Sequence, residues 1–166
     1  MSVKFQDFSF DVKAALDDTT IAWLYTWASE IASHAARNCQ LDDDAGKQLK
    51  GSYNGVVNEG KGEARIGSPL EQAYWEEWGT GEHAAHKDGR KGWWVYVKGQ
   101  APQGGGTTYH SQEEAEAVAA SMRADGLDAY ATNGREPNYT LERAFDANKQ
   151  KAIADLEDQL GRRMGK

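Results

Sequence analysis

The sequence predicts an α+β fold from three observations. Helical periodicity runs over long segments near both ends, and short β-branched and aromatic runs bounded by glycine lie between them. Among those runs sits one well-capped amphipathic segment, Ser111 to Met122. The expected architecture is a long N-terminal helix and a C-terminal helix packed on an antiparallel or mixed β-sheet, with an inserted β-α-β unit. A length of 166 residues makes one domain, 1–166, the expectation, with 99–134 as the insertion.

Taken in order, Met1 to Phe10 carries Phe5, Phe8 and Phe10 and reads as a short strand or as an arm that packs on a neighbour. Asp11 is placed to cap a helix from Val12 to about Arg37. In that helix Leu16, Trp23, Leu24, Trp27, Ile31 and Ala35 recur at three- and four-residue steps. Gln40 to Gly46 reads as an acidic, turn-rich loop. Its Asp run lacks the spaced oxygens and distal Glu of a calcium loop. Ser52–Asn58 and Glu63–Ile66, joined by Glu59–Gly62, predict a β-hairpin.

The stretch Ala64 to Gly81 is the densest in the chain. Pro69 suits the first turn of a helix, where its missing N–H costs nothing. Leu70, Ala73, Tyr74 and Trp78 then share one helix face, and Gly79 and Gly81 end it. Glu82 to Lys91 reads as an exposed, mobile polar loop, and Trp93 to Lys98 as an aromatic strand. Gly99 to Gly106 is a flexible loop without the Lys-Ser/Thr of a phosphate loop. Ser111 and Glu114 form a capping box ahead of Ala115, Val118, Ala119 and Met122. Asp125-Gly126 stops that helix and Leu127 to Thr132 returns as a strand, paired with Trp94–Val97 or with Thr107–Tyr109. Asn133 to Asn138 is a turn, and Leu141, Phe145, Ala152, Leu156 and Leu160 mark a C-terminal helix ending near Leu160.

Charge and composition narrow the function classes. A net charge of −7 opposes a sequence-reading nucleic-acid binder, although an acidic wall past which DNA slides is compatible with it. Cys39 is the only cysteine, so a reducing compartment is the simplest context. No apolar run approaches the roughly 18 residues of a spanning helix, and the N-terminus lacks a signal-peptide core; a cytoplasmic protein is expected. No nucleophile sits in a Gly-x-Ser-x-Gly setting, and Cys39 follows a helix at its negative pole, the wrong end for an activated thiolate. Glu71, Glu76 and Glu77 beside Trp75 and Trp78 would suit a glycan hydrolase, but carboxylates on a short helix are expected at its surface. His83 and His86 are spaced to share a metal yet have no third ligand at hand. No catalytic, metal or cofactor residue is therefore assigned, and no enzyme is expected.

The stretch instead reads as a docking element. Ala35-Ala36-Arg37-Asn38-Cys39, the acidic turn with Gly46 leading to Leu49 and Ser52, Ala64 to Ser68, Tyr74-Trp75-Glu76-Glu77-Trp78-Gly79-Thr80-Gly81, and Pro137 to Phe145 form a recognisable set. The set resembles the minor tail, tail-completion and head–tail joining (neck) proteins of long-tailed, lambda-like phages. The resemblance covers about residues 12–98 and 135–155, and Glu77 to Gly81 is its most specific piece. Ala45 stands where the family pattern has Thr, and Pro137 to Phe145 lacks the pattern's second Pro.

The resemblance implies a β-sheet or open barrel flanked by helices, in a virion protein that forms a ring at the neck and is assembled in the host cytoplasm. It implies a homo-oligomer, a hexamer favoured and a dodecamer possible, joined to other neck and tail-terminator proteins. Double-stranded DNA would pass through without sequence-specific binding. Candidate subunit-interface residues are Tyr74, Trp75, Trp78, Thr80, His83, His86 and Arg90. An alternative is a monomeric binding module for cell wall or peptide. Over an Ala- and Glu-rich helix followed by Gly126-Leu127-Asp128-Ala129-Tyr130, the insertion is similar to peptidoglycan-binding repeat domains of the SPOR type. A small glycan hydrolase is the third reading.

Overall fold

A computed structural model describes residues 9–41, 43–100 and 106–165. The fold is α+β, in the order α1 (Ser9–Asn38), α2 (Asp44–Ser52), β1 (Asn54–Asn58), a 3-10 turn (Glu59–Lys61), β2 (Glu63–Gly67), α3 (Glu71–Trp78), β3 (Thr80–Gly81), β4 (Trp94–Val97), α4 (Gln112–Ala124), β5 (Ala129–Thr132), β6 (Gly134–Arg135) and α5 (Thr140–Arg163). Strand pairing is antiparallel, as expected, but among the described residues it makes three separate two-stranded ladders, β1–β2, β3–β6 and β4–β5. Among the described residues no open-barrel sheet is formed: each strand has one ladder partner, and β3 and β6 are only two residues long. Two compact units result: Met1–Ala73 with Thr140–Lys166, and Tyr74–Tyr139, which contains the 99–134 segment.

In the first unit α1 is already helical at Ser9. Asp11 thus lies within the helix rather than ahead of it as a cap. The rest of the expected N-terminal strand or arm, residues 1–8, lies outside the described residues. Two indoles of α1 hold it to α5: Trp23 Nε1 donates to the Ala152 carbonyl at 2.8 Å and Trp27 Nε1 to Asp155 Oδ2 at 2.7 Å. Ala28, Ile31, Ala32 and Ala35 are buried. Small side chains there let α1 lie directly on β1, since a Cβ on Gly55 would sit 2.6 Å from that of Ala28.

Of the segment read as a loop, Gln40, Leu41 and Asp43 lie outside any helix, but Asp44 to Gly46 already form the first turn of α2. Asp43 is its N-cap, accepting from the Gly46 N–H at 2.8 Å, and a Cβ on Gly46 would strike the Leu41 carbonyl oxygen at 2.3 Å. Leu49, the one large apolar residue of this short helix, is fully buried in a core with Ile31, Ala35, Tyr53, Ala73 and Ala144. A single anchoring leucine is too little periodicity for a helix to be legible. The hairpin forms as predicted, with Asn54 opposite Gly67 and Asn58 opposite Glu63, closed by Gly62 in the left-handed region. In α5 the buried face is Ala144, Asn148 and Ala152, and the helix continues to Arg163. Phe145, expected on the apolar face, is 47% exposed, one position off that face.

In the second unit α4 begins where the capping box places it. The Ser111 hydroxyl accepts from the Glu114 N–H at 3.2 Å, while the Glu114 carboxylate reaches back to the His110 N–H at 3.1 Å. Ala115 and Ala119 of α4 are fully buried, as is Ala129 of β5. Trp94–Val97, not Thr107–Tyr109, supplies the strand paired with β5; Tyr109 adds one bridge to Trp93. The predicted turn at Asn133–Asn138 contains β6, paired with β3.

Candidate functional site

The site is built on the end of α3. The expected apolar face of Leu70, Ala73, Tyr74 and Trp78 is covered only at its start: Ala73 is buried and Leu70 packs against the core, while Tyr74 is 49% exposed and Trp78, like Trp75, is half-buried. Glu76 and Glu77 are buried instead. The expectation that Glu76 and Glu77 lie at the surface is thus overturned; only Glu71 does. A helix leaves its last carbonyls without intrahelical donors. Here the Asn138 N–H donates to the Glu76 carbonyl at 2.9 Å and the Tyr139 N–H to that of Glu77 at 3.2 Å. The Glu76 carboxylate is fully enclosed: Oε2 lies 3.0 Å from Arg135 Nη1, and Oε1 accepts from Asn138 Nδ2 at 3.0 Å.

The glycines of the Gly-Thr-Gly run are requirements of backbone packing. Gly81 has φ +62°, and a Cβ there would lie 2.1 Å from the Asn133 carbonyl oxygen. Gly134, at φ +126°, presses equally closely on the Thr80 carbonyl. Thr80 is spent within this ladder, its Oγ1 accepting from the Arg135 N–H at 3.0 Å. Arg135 through Tyr139 and Glu76 through Gly81 therefore form one interlocked piece.

The loop after Gly81 is tied down rather than free. The Ala85 N–H donates to the Trp78 carbonyl at 2.8 Å, and the Glu82 carboxylate accepts from the Gly92 N–H at 3.0 Å. His83 Nδ1 lies 2.6 Å from a Glu136 carboxylate oxygen and its Nε2 lies 3.3 Å from Asn133 Oδ1. His86 goes elsewhere, its ring 4.6 Å from that of Trp78 and 6.5 Å from that of Tyr74. The two histidines do not converge, and among the described residues no three His, Cys, Asp or Glu side chains are placed to hold a metal.

Of the predicted interface residues, the structure gathers Tyr74, Trp78 and His86 into one aromatic cluster. It adds Tyr139, edge-on to Trp78 at 6.1 Å. Thr80 and His83 serve the ladder and the loop instead. Arg90 lies over the Trp94 ring at 5.0 Å and donates to the Thr108 hydroxyl at 2.9 Å and to the Gly106 carbonyl. Sequence reasoning missed Arg135, Asn138 and Tyr139 as partners of α3. Their one signal was the Pro137-Asn138-Tyr139 motif, which says nothing of what it touches.

A second exposed aromatic group lies on β4–β5. Tyr96 and Tyr130 are directly opposed, their rings 5.6 Å apart and 27° from parallel, at 47% and 42% exposure. The Asp128 carboxylate, accepting a hydrogen bond from the Tyr130 hydroxyl, holds that phenol above its usual range. Among the described residues no helix is long and apolar enough to cross a membrane. No family model matches the chain, and neither does any curated protein or solved structure.

Proposed function

We propose that the chain is a structural virion protein of a tailed phage, forming a ring at the head–tail neck that joins or completes the tail and lines the DNA channel. One observation carries this reading beyond the resemblance. Two of its motifs, Tyr74–Gly81 and Pro137–Phe145, meet: Glu76 and Asn138, separated by 62 positions, share a side-chain and a backbone hydrogen bond. A chance likeness of two short motifs gives no reason for them to be in contact, whereas a shared structural unit does.

The mechanism is assembly. Tyr74, Trp78 and His86 offer an aromatic surface on a rigid base, the kind of anchor that dominates protein interfaces. The net charge of −7 suits a channel wall that DNA slides past without its phosphates being gripped. Light scattering and negative-stain imaging of the chain, alone and with its neck partners, test the reading. Closed rings are expected, and a strict monomer under both conditions would sink it.

The exposed Tyr96–Tyr130 pair favours a second reading, a binding module for cell wall or peptide on the 99–134 side of the chain. Pull-down on purified cell wall that is abolished by Tyr96→Ala would favour it. Against the hydrolase alternative, Glu76 and Glu77 are buried, and Glu76 is ion-paired with Arg135 and accepts a hydrogen bond from Asn138.

A further inference from the structure

Tyr96 of β4 and Tyr130 of β5 are cross-strand partners. Side chains alternate between the two faces of a strand. Ala129, next to Tyr130, is fully buried, so Tyr130 and Tyr96 stand on the opposite, open face. Their ring centroids are 5.6 Å apart, with 27° between the planes. Tyr25 and Tyr74 are as exposed, yet among the described residues this is the one pair of tyrosines in ring contact. The ladder fixes the approach. Trp94 to Val97 pairs residue by residue with Ala129 to Thr132, and beyond it the Lys98 N–H donates to the Asp128 carbonyl at 2.8 Å. The Asp128 carboxylate accepts the phenolic hydrogen bond of Tyr130. Two phenols in contact, one with a carboxylate already placed at its proton, are the elements of an oxidative coupling.

We propose that Tyr96 and Tyr130 are a cross-linking site, joined by a carbon–carbon bond between the ring positions ortho to their hydroxyls when a one-electron oxidant of the peroxidase class acts on the chain. One oxidising equivalent removes an electron from the Tyr130 ring while its phenolic proton passes to Asp128, leaving a neutral tyrosyl radical. A second equivalent takes an electron from Tyr96, whose phenolic proton goes to water. The two radicals combine at their ortho carbons. The hydrogen on each of those carbons then leaves as a proton, and both oxygens are protonated again. In sum two ring C–H bonds break and one C–C bond forms, and two electrons and two protons pass to hydrogen peroxide, which is reduced to water. The new bond staples β4 to β5 across the α4 connection. Closing a loop in the unfolded chain stabilises a fold as a disulfide does, and Cys39, the only cysteine, has no second cysteine in the chain for that purpose. The inference stands apart from both the ring reading and the binding-module reading.

The test treats the full-length chain with a haem peroxidase and hydrogen peroxide and follows it by mass spectrometry. A single chain lighter by two hydrogen atoms is expected. After trypsin, residues 92–98 should be found joined to residues 124–135, two peptides that hold one tyrosine each. The melting temperature of the linked chain should rise. Tyr96→Phe is expected to keep the melting temperature of the untreated parent, because Tyr96 is exposed, and to lose the link. Asp128→Asn should form the link more slowly than the parent. Links between chains through Tyr25 or Tyr74, with residues 92–98 and 124–135 unjoined, would overturn the proposal. Joining of those two peptides in Tyr96→Phe would overturn the chemistry assigned to the phenols. An Asp128→Asn rate equal to that of the parent would overturn the part given to the carboxylate.

Discussion

The carboxylate of Glu76 and the guanidinium of Arg135 meet at 3.0 Å, with the first fully enclosed and the second 36% exposed. Removing the arginine takes the ion pair away from a buried carboxylate and leaves the Asn138 hydrogen bond in place. Breaking a fully buried pair costs about 3–5 kcal/mol, and the partial exposure of Arg135 lowers the expectation for Arg135→Ala to about 2 kcal/mol. Glu76→Gln, which keeps an acceptor for Asn138, should cost less. Urea unfolding of the three proteins checks the order, and equal stability for Arg135→Ala and the parent would show that the Glu76–Arg135 pair does not hold the site together.

Gly62 and Gly81 have nearly the same backbone, φ +63° and +62°, in opposite surroundings. A Cβ at Gly62 meets nothing within 4 Å, whereas at Gly81 it meets the Asn133 carbonyl oxygen at 2.1 Å. Gly62→Ala should cost about 1 kcal/mol, the conformational penalty alone. Gly81→Ala adds a backbone clash and should cost about 3 kcal/mol or more. Thermal melts of the two variants separate these terms.

Asp155 gives the first unit a pH dependence of known sign. The Trp27 indole N–H, then the Gln159 amide, holds its carboxyl below the usual carboxylate value, with burial opposing. A lowered folded value means stability that is present above the unfolded pKa, about 4, and lost as pH falls through the folded one. Asp155→Asn should therefore be less stable than the parent at neutral pH, with the difference closing in acid. Melting temperatures from pH 7 to pH 2 measure it; a gap that stays constant would contradict the assignment.

Tyr74 is half exposed, so its loss should barely change the monomer. Tyr74→Ala is expected to leave unfolding within about 0.5 kcal/mol of the parent and to weaken subunit association by about 2 kcal/mol. Sedimentation across a concentration series reads the second quantity. Unchanged association would move the interface away from the aromatic cluster.

The sequence by itself determined the elements whose causes are local. The β1–β2 hairpin came from glycines within a four-residue turn, α4 from a capping box and an alanine stripe, and α1 from periodicity sustained over many turns. Each signal acts across a few positions, so it is complete in the sequence. Tertiary structure decided whatever depends on a distant partner. Glu76 and Glu77 read as surface acids because nothing near them in sequence shows Arg135, Asn138 and Tyr139 waiting to cover them. Gly81 read as a helix stop, when its lack of a side chain is demanded by Asn133 and Gly134 across the β3–β6 ladder. The resemblance read from sequence implies Tyr74, Trp78 and His86 as interface residues. That they form one cluster, with Tyr74 and His86 exposed on a half-buried Trp78 while Thr80 and His83 are consumed by the fold, follows from burial and hydrogen bonding that only the folded chain brings about.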